Sequence, residues 1–492
     1  MNFSVIFYIV AYALKAEGLL MLVPAFVGLG YGEQEAEAFF ICAAALFIIG
    51  YLATIKRPKN QVFYSKEGFV SVALVWVAIN VFGCIPFMIN GDIPRFADAF
   101  FEMVSGFTTT GSTILKDVEA LSRCSLFWRS FSHWVGGMGI LVFVLSVLPI
   151  TGGSTMHLMR AESPGPQVGK IVPKIKNTAI ILYVIYPVMT VVEIILLLIS
   201  GMELFDALTL SFGSAGTGGF AVRNSGLADY APASQYIVAI FIILFGVNFN
   251  VYFLIVRRHL RAALKYEEAL WYYAIIAAAV IAITFNTRDM FVTLEETFRH
   301  SLFQVGSIIT TTGYSTTDFN LFPEFSKQIL VLLMFIGACA GSTGGGIKVS
   351  RIVIMVKSMF GEISRILHPR TMKKVHMDGH IIDEPTLRSV NMFIMAYIVL
   401  FSFSVLIVSW DNFDMTTNFT AVAATLNNIG PGLNMVGPMG NFSEYSDVSK
   451  YVFCFDMLAG RLELFPILVL FNPKTWNRQI HLHRHNAKKA EI

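Results

Sequence analysis

A short glycine-containing turn occurs four times in this chain, each time between two long apolar runs, and this repetition restricts the possible folds most. The copies are Thr108-Thr109-Thr110-Gly111-Ser112, Ala215-Gly216-Thr217-Gly218-Gly219, Thr310-Thr311-Thr312-Gly313-Tyr314 and Asn427-Asn428-Ile429-Gly430-Pro431. Their central glycines lie 107, 95 and 117 residues apart (218−111, 313−218, 430−313). Self-similarity at a wide and nearly regular period indicates a repeat architecture. We therefore expect four similar units whose turns surround one axis.

Composition places these units in a membrane. Of 492 residues, 55% are hydrophobic and 14% charged, and the mean hydropathy is +0.64. A membrane-spanning helix needs about 20 apolar residues, and helices satisfy their own backbone groups in lipid. The sequence predicts about ten such helices, near 2–27, 37–55, 68–89, 125–150, 178–200, 236–256, 270–286, 329–358, 390–410 and 451–472.

Basic residues follow every second helix, as in Lys56-Arg57-Pro58-Lys59 and Arg257-Arg258. Because Lys and Arg accumulate on cytoplasmic loops, we expect both termini in the cytoplasm and all four turns opening from outside. The first apolar run lacks a charged start and a small-residue cleavage site, which indicates a retained helix in the plasma (inner) membrane.

A segment of about a dozen residues precedes each turn and is too short to span the bilayer. We interpret these segments as re-entrant pore helices. Their starts carry acids, which suit the positive end of a helix dipole; these are Asp98, Asp206, Glu295, Glu296 and Asp414. Copies one and three agree further, because Glu102 and Gln304 each lie nine residues before the glycine (111−102, 313−304).

The predicted fold is therefore an all-α polytopic membrane protein. Four pseudo-symmetric helix–pore-helix–helix repeats surround a central pore, and a two-helix hairpin precedes them. The predicted boundaries are 1–60 for the hairpin, 61–165, 166–265, 266–380 and 381–492 for the repeats, with a glycine-rich loop in the third and a cytoplasmic tail in the fourth.

The turns have the chemistry of a cation filter. Glycine reaches the backbone angles that point successive carbonyls inward, and β-branched neighbours stiffen the strand. A ring of carbonyls can replace the hydration shell of an alkali cation. The predicted filter residues are Thr110, Gly111, Thr217, Gly218, Thr312, Gly313, Ile429 and Gly430. The alternative is that these turns are helix-breaking loops of an ordinary transporter.

The segments Phe107-Thr108-Thr109-Thr110-Gly111-Ser112-Thr113, Thr217-Gly218-Gly219-Phe220 and Asn427-Asn428-Ile429-Gly430-Pro431-Gly432, with the third turn, resemble the filter turns of the Trk/Ktr/HKT potassium transporters. Two extra N-terminal helices and a glycine-rich sixth repeat helix make the chain most similar to the TrkH branch. The resemblance implies K⁺ and Rb⁺ uptake, a homodimer with one pore per subunit, and a cytosolic regulatory subunit that binds NAD, ATP or ADP. It also implies that glycine at all four filter positions favours K⁺. No cofactor on this chain and no nucleic-acid partner are expected.

The run from Gly337 to Lys348 interrupts an apolar stretch. It lacks the Gly-Lys-Ser/Thr adjacency of a phosphate-binding loop, so we do not expect nucleotide binding there. Non-helical backbone at membrane depth is tolerated where it lines a cavity. In the resembling family this position is a gating loop, which gives Gly341, Gly344, Gly345, Gly346 and Lys348 as candidate gate residues. The alternative is a packing kink or a small-residue helix crossing.

Arg461 lies in the middle of the last apolar run, where a charge costs about 2.5–3.5 kcal/mol on insertion scales. One interpretation places its guanidinium in the pore just inside the filter, as part of the gate. The other is a structural ion pair with Asp456, Glu463 or Glu193. Coupling of K⁺ entry to H⁺ or Na⁺ is the functional alternative, and Glu193 is the one isolated carboxylate that the sequence suggests for it.

Other chemistry is poorly supported. No Ser/His/Asp group, HExxH motif or facing acid pair occurs, so an enzyme is not expected. A carrier with inverted repeats is disfavoured, because all four turns open from one side. The five scattered cysteines should be packed hydrophobes. His133 and His157 should be interfacial, and the tail His481-Leu482-His483-Arg484-His485 should face lipid or a partner rather than a metal.

Overall fold

Helices form almost all of the regular structure. The computed structural model describes residues 1–58, 64–139, 175–368 and 374–476. Within these ranges the strands β1 (His376–Met377) and β2 (His380–Ile381) form one antiparallel hairpin. The predicted all-α fold class is confirmed. His157 and the histidine-rich tail lie outside the described residues.

The helices follow the predicted order of a hairpin and four repeats. The hairpin has α1 (Phe3–Leu20), α2 (Leu22–Tyr31) and α3 (Ala36–Thr54). The first repeat has α4 (Ser65–Gly83), α5 (Ile85–Ile89), α6 (Phe96–Phe107) and α7 (Arg123–Gly137), and the second has α8 (Ile175–Ile199), α9 (Leu204–Gly216), α10 (Pro232–Phe245), α11 (Phe249–Val256) and α12 (Leu260–Leu264). The third has α13 (Glu267–Asn286), α14 (Leu294–Ile309), α15 (Glu324–Ile336) and α16 (Val349–Leu367), and the fourth has α17 (Glu384–Val408), α18 (Met415–Leu426), α19 (Asp447–Arg461), α20 (Phe465–Phe471) and α21 (Pro473–Trp476). Short 3₁₀ turns occur at Phe319–Leu321, Ser409–Asp411 and Asn434–Val436. The boundaries predicted at 60 and 165 fall outside the described residues, and the one at 380 falls within β2.

Several predicted spans are not single helices. Among the described residues, five helical segments are long and apolar enough to cross a membrane, or six if one bent pair is counted. That pair is α10 and α11, which meet at 91°. The run 329–358 is split into α15 and α16 by a loop, and the run 451–472 is split into α19 and α20. Three of the ten predicted runs are therefore bent or divided, and the run 125–150 extends beyond residue 139, outside the described residues.

The four predicted pore helices are α6, α9, α14 and α18, with 12, 13, 16 and 12 residues. The predicted acids lie at the helix starts, and two of the four helices, α14 and α18, also have a side-chain N-cap. Asp414 is the N-cap of α18 and accepts the Thr417 N–H at 2.9 Å, and Thr293 accepts the Glu296 N–H at 3.1 Å for α14. Each of these short helices ends at one of the four turns.

Close backbone contact joins the helices of the N-terminal hairpin, and a carboxylate links the hairpin to the first repeat. Gly18 of α1 faces α3, where an added Cβ would lie 2.8 Å from the Ala43 carbonyl oxygen and 2.9 Å from the Phe47 nitrogen. Glu33, between α2 and α3, caps the start of α7 by accepting the N–H groups of Arg123 (2.7 Å) and Cys124 (3.0 Å). The hairpin is thus part of one packed body.

Buried carboxylates are more numerous than the sequence suggested. Glu193 is fully buried, and so are Asp456 and, at 2% exposure, Glu17. The Asp456 Oδ1 accepts the Ser404 hydroxyl at 2.7 Å. All five cysteines are buried and unoxidised, as expected for packed hydrophobes. Glu193 is therefore not a unique intramembrane acid, which weakens its assignment as a coupling site.

Close packing at Gly18 gives a test of the hairpin's contribution to stability. Gly18→Ala should lower the free energy of unfolding by about 1–3 kcal/mol, because the new methyl group overlaps backbone that must move. The readout is the thermal unfolding midpoint of the purified protein in detergent.

Gly30 supplies the matched control, because it lies in α2 with nothing within 4 Å of an added Cβ. Gly30→Ala should leave the midpoint unchanged or slightly raised, since alanine favours helix. Equal effects of the two substitutions would contradict the proposed packing.

Candidate functional site

All four short helices end in the same hydrogen-bonded turn. At the end of α6, the Thr109 N–H donates to the Gly106 carbonyl (3.1 Å) and the Thr110 N–H donates to the Ser105 carbonyl (2.9 Å). Bonds that reach three and five residues back define a Schellman motif, and equivalent bonds end α9, α14 and α18. The left-handed residues are Thr109, Thr217, Thr311 and Asn428, with φ of 56°, 54°, 58° and 56°. Threonine rarely adopts this conformation, so backbone strain is concentrated at matching positions.

The turns touch one another in a closed circle. Two residues after each left-handed residue lies a glycine of positive φ; these are Gly111, Gly219, Gly313 and Gly430. A Cβ on Gly430 would lie 2.9 Å from the Thr110 carbonyl oxygen. Added Cβ atoms on Gly111, Gly219 and Gly313 would overlap the carbonyl oxygens of Gly218, Thr312 and Ile429. Each glycine thus abuts the next turn, and no side chain fits at any of the four contacts.

This circle corrects the register of the second turn. The sequence paired Thr217 and Gly218 with Thr110 and Gly111. In the structure Thr217 matches Thr109 in its left-handed backbone, and Gly219 matches Gly111 in contacting the following turn. The equivalents of Thr110 and Gly111 are therefore Gly218 and Gly219. The additional glycine in this copy concealed the one-residue offset.

The circle offers oxygen ligands of one kind. The carbonyl group next to each glycine lies against the glycine of a neighbouring turn, and carbonyl oxygens can replace the hydration shell of an alkali cation. The C-terminal ends of the four pore helices also carry partial negative charge toward the turns. Threonine hydroxyls are used elsewhere, since those of Thr108 and Thr110 pair at 2.8 Å and those of Thr310 and Thr312 at 2.7 Å.

The loop between α15 and α16 lies directly against two of these turns. The Gly345 N–H donates to the Thr311 hydroxyl at 2.6 Å. A Cβ added to Gly344 would lie 2.7 Å from the Thr310 carbonyl oxygen, and one added to Gly345 would overlap the Asn427 carbonyl. Glycine is therefore required for the loop to lie this close to the third and fourth turns.

Two cationic side chains hold this loop. The Arg461 Nη1 donates to the Thr343 carbonyl at 2.9 Å, and its Nη2 donates to the carbonyls of Gly136 and, at 3.2 Å, Gly137 in α7. The buried Lys348 ammonium donates to the Gly344 carbonyl. Arg461 is the last residue of α19 rather than a mid-helix residue, because Glu463 and Leu464 have φ of 55° and 65° and break the run.

Two of the three carboxylates considered as partners of Arg461 make contacts with other residues. Glu463 pairs with Arg351 at 2.6 Å, and Asp456 accepts the Ser404 hydroxyl. The remaining candidate gate glycines, Gly341 and Gly346, have φ of 68° and 77° and shape the loop.

Comparison with known proteins identifies the family. The family described as "TrkH: Cation transport protein" matches residues 35–294 and 268–479. The chain belongs to the TrkH family. It is 36% identical to the Trk system potassium uptake protein TrkH of Escherichia coli (strain K12), over 93% of this chain and 95% of that protein. It is 32% identical to Trk system potassium uptake protein TrkG of the same strain, with the same coverage. The crystal structure of the potassium transporter TrkH from Vibrio parahaemolyticus superposes with a TM-score of 0.87 at 32% identity, covering 97% of this chain and 100% of that one.

Behind the first turn of this TrkH-family chain lies a buried ion pair that the sequence did not reveal. Glu102 and Arg129 are 0% and 2% exposed in their side chains and are joined at 2.7 Å. Glu102 also accepts the Thr113 hydroxyl (2.9 Å) and the Ile114 N–H (3.0 Å). The Arg129 guanidinium lies 4.0 Å from the centre of the Phe220 ring, just after the second turn. The pair therefore braces two turns together.

His133, one helical turn after Arg129, braces the same two turns. Its Nδ1 hydrogen-bonds the Gly106 carbonyl at 2.7 Å, and its Nε2 accepts the Phe220 N–H at 3.3 Å. Gly218 packs against the imidazole ring. The expectation of an interfacial histidine was wrong, because His133 is fully buried. The sequence carried no clear signal for this role, because α7 also has other polar residues, Ser125, Arg129, Ser130 and Ser132.

The brace can be tested through stability. Arg129→Met should lower the free energy of unfolding by about 3–5 kcal/mol, because it leaves the Glu102 carboxylate buried without a counter-charge. The measurement is thermal unfolding of the purified protein in detergent.

The exposed pair Lys116–Glu444 provides the comparison, with side chains 71% and 56% exposed. Lys116→Met should leave the unfolding midpoint unchanged, since exposed pairs contribute little. A stable Arg129→Met protein would show that the buried pair does not support the turns.

Proposed function

We propose that this chain conducts potassium ions across the membrane through the circle of four turns. The observation that carries the proposal is the cyclic contact of Gly111, Gly219, Gly313 and Gly430 with the carbonyl of the following turn. The relatives are named potassium uptake proteins or a potassium transporter, which supports K⁺ as the ion.

In this mechanism the ion loses water at the circle. The carbonyl groups beside the glycines, on Thr110, Gly218, Thr312 and Ile429, take the place of hydration water. The brace formed by Glu102, Arg129 and His133 would keep two of the turns from moving apart. Packing behind the turns thereby fixes the distances between the carbonyl oxygens, so these oxygens need not move when the ion arrives.

The loop from Gly337 to Lys348 is proposed to be the gate. It lies against the third and fourth turns, and passage requires its displacement. The positive charges of Arg461 and Lys348 next to the loop would oppose a cation that has crossed the filter. Opening must break at least the Gly345–Thr311 bond and the Arg461 contact with the Thr343 carbonyl.

Coupled symport with H⁺ or Na⁺ finds little support. The buried carboxylates Glu17, Glu193 and Asp456 are carried by three different helices, α1, α8 and α19. Of these, Asp456 accepts a hydrogen bond from the Ser404 hydroxyl. Flux along the electrochemical gradient is the simpler proposal.

Family membership supports the remaining parts of the proposal. These are residence in the plasma membrane with both termini cytoplasmic, a homodimer with one filter per subunit, and regulation by a cytosolic subunit that binds NAD, ATP or ADP. Opening would then depend on a force applied to the gate from the cytoplasmic side.

Uptake of ⁸⁶Rb⁺ into liposomes that hold the purified chain tests the filter. Unlabelled K⁺ should compete and Na⁺ should not. Gly313→Ser should reduce this discrimination, because the added side chain meets the Ile429 carbonyl at a residue with φ of 84°. Gly30→Ala, far from the turns, is the matched control. Equal competition by K⁺ and Na⁺ in the wild type would refute a potassium filter.

The contact between gate and filter gives a second test in the same assay. Thr311→Val keeps the shape of the side chain but removes the acceptor of the Gly345 N–H. Loss of one hydrogen bond, about 1 kcal/mol, should speed ⁸⁶Rb⁺ entry about fivefold. Arg461→Ala should also speed entry.

Thr284→Val is the control for this change, because the Thr284 hydroxyl lies in α13, buried without a hydrogen-bond partner. Its uptake should equal that of the wild type. If Thr311→Val left the rate unchanged, the loop would not be held closed by this bond.

A further inference from the structure

The gate loop is joined to the bend of the second repeat by backbone bonds. The Cys339 N–H donates to the Gly246 carbonyl at 3.1 Å, and the Phe249 N–H donates to the Gly341 carbonyl at 3.1 Å. Gly246 and Phe249 flank the break between α10 and α11. The break between α10 and α11 and the break between α15 and α16 each leave backbone groups without a partner in their own helix. These groups hydrogen-bond each other, as non-helical backbone in a membrane requires.

One buried side chain lies where these two breaks meet. Glu268, in the first turn of α13, is 2% exposed. Its Oε1 accepts the Ala340 N–H at 2.6 Å and the Ser350 N–H at 3.1 Å. Its Oε2 accepts the Asn248 amide at 3.1 Å. A single carboxylate therefore binds both sides of the gate loop, at Ala340 before it turns and at Ser350 just after it. The same carboxylate binds Asn248 at the bend of the second repeat.

Glu268 also replaces a missing helix cap. Lys348 occupies the N-cap position of α16 with φ of 86°, and its side chain makes no capping bond. The Ser350 N–H, in the first turn of α16, is capped by Glu268 instead. The carboxylate thus faces the N-terminal ends of both α13 and α16, where helix dipoles favour negative charge.

We propose that Glu268 is the positioning residue that holds the gate loop closed beneath the filter. This proposal rests on the proposed conduction pathway. It attributes the closed state of the loop to one anchor, the Glu268 carboxylate. The loop between Ala340 and Ser350 is fixed at both limbs by Glu268, while Arg461 and the Thr311 hydroxyl hold its centre. Release of the anchor would let the limbs separate and the centre leave the filter.

Glu268→Gln is the matched substitution. A carboxylate accepts at both oxygens, whereas an amide accepts at only one. Glutamine must therefore lose either the two loop N–H groups or the Asn248 amide, and its remaining bonds are no longer charge-assisted. Glu267→Gln is the control, since the neighbouring Glu267 carboxylate contacts Lys357 and the Asp378 N–H at the hairpin instead of the loop.

The first measurement is ⁸⁶Rb⁺ uptake into liposomes that hold the full chain. Glu268→Gln should speed entry about tenfold, equivalent to about 1.4 kcal/mol, with the competition by K⁺ and Na⁺ unchanged. Glu267→Gln should match the wild type. A merely structural defect would slow uptake or alter selectivity, so faster entry with intact selectivity distinguishes anchoring from damage. Uptake at or below the wild-type rate, when Arg461→Ala is faster, would overturn the proposal.

The second measurement is amide hydrogen exchange of the purified protein, which does not depend on conduction. Segment 338–350 should exchange about tenfold faster in Glu268→Gln, while the amides of Thr109 and Thr110 should be unchanged. Unchanged exchange in segment 338–350 would overturn the anchor. Faster exchange with no ⁸⁶Rb⁺ uptake in any variant would support the anchor and refute the proposed conduction. If Glu268→Gln does not fold, Glu268→Asp replaces it. This variant keeps the charge but has a shorter side chain, and it should also show faster exchange in segment 338–350.

Discussion

The structure depends on the approach of four glycine residues to the carbonyl groups of neighbouring turns. Only a residue without a Cβ permits this approach. A residue in the left-handed conformation, two positions before each glycine, turns the chain toward the neighbouring turn. Three of those residues are threonines, for which the conformation is costly. The surrounding helices must therefore hold the strained turns in place, as the buried side chains of Glu102 in α6 and of Arg129 and His133 in α7 do for the first and second turns.

Helix breaks are the second constraint. A continuous inner helix in the second, third or fourth repeat would leave no room for a loop beneath the turns. The structure breaks all three and pairs the exposed backbone of the second with that of the third. Glu268 completes this pairing where backbone alone does not suffice. The filter and the loop are thus parts of one hydrogen-bonded system, since Gly345 and Thr311 connect them directly.

The sequence predicted the architecture because its signals were local and repeated. Apolar runs, acids at helix starts and the four turns were each legible within about 20 residues. The glycine-rich break in the third repeat was legible too, but the bend between α10 and α11, the break between α19 and α20, the register of the second turn and the burial of His133 were not. They depend on contacts between residues far apart in the chain, such as the 324 residues between Gly137 and Arg461. The four turns were therefore found from the sequence, whereas the contacts of Arg129, His133 and Glu268 required the three-dimensional arrangement.

Because the circle closes within a single polypeptide, its four turns can differ in sequence, whereas those of a symmetric homotetramer cannot. In a homotetramer one codon change alters all four turns together, whereas in this chain each turn is encoded separately. The Asn428 position already differs from its threonine counterparts, and Glu102 is matched by Gln304 rather than by a second acid. Under the proposed function, permeation properties can therefore change one turn at a time, because a substitution in one turn leaves the other three unaltered.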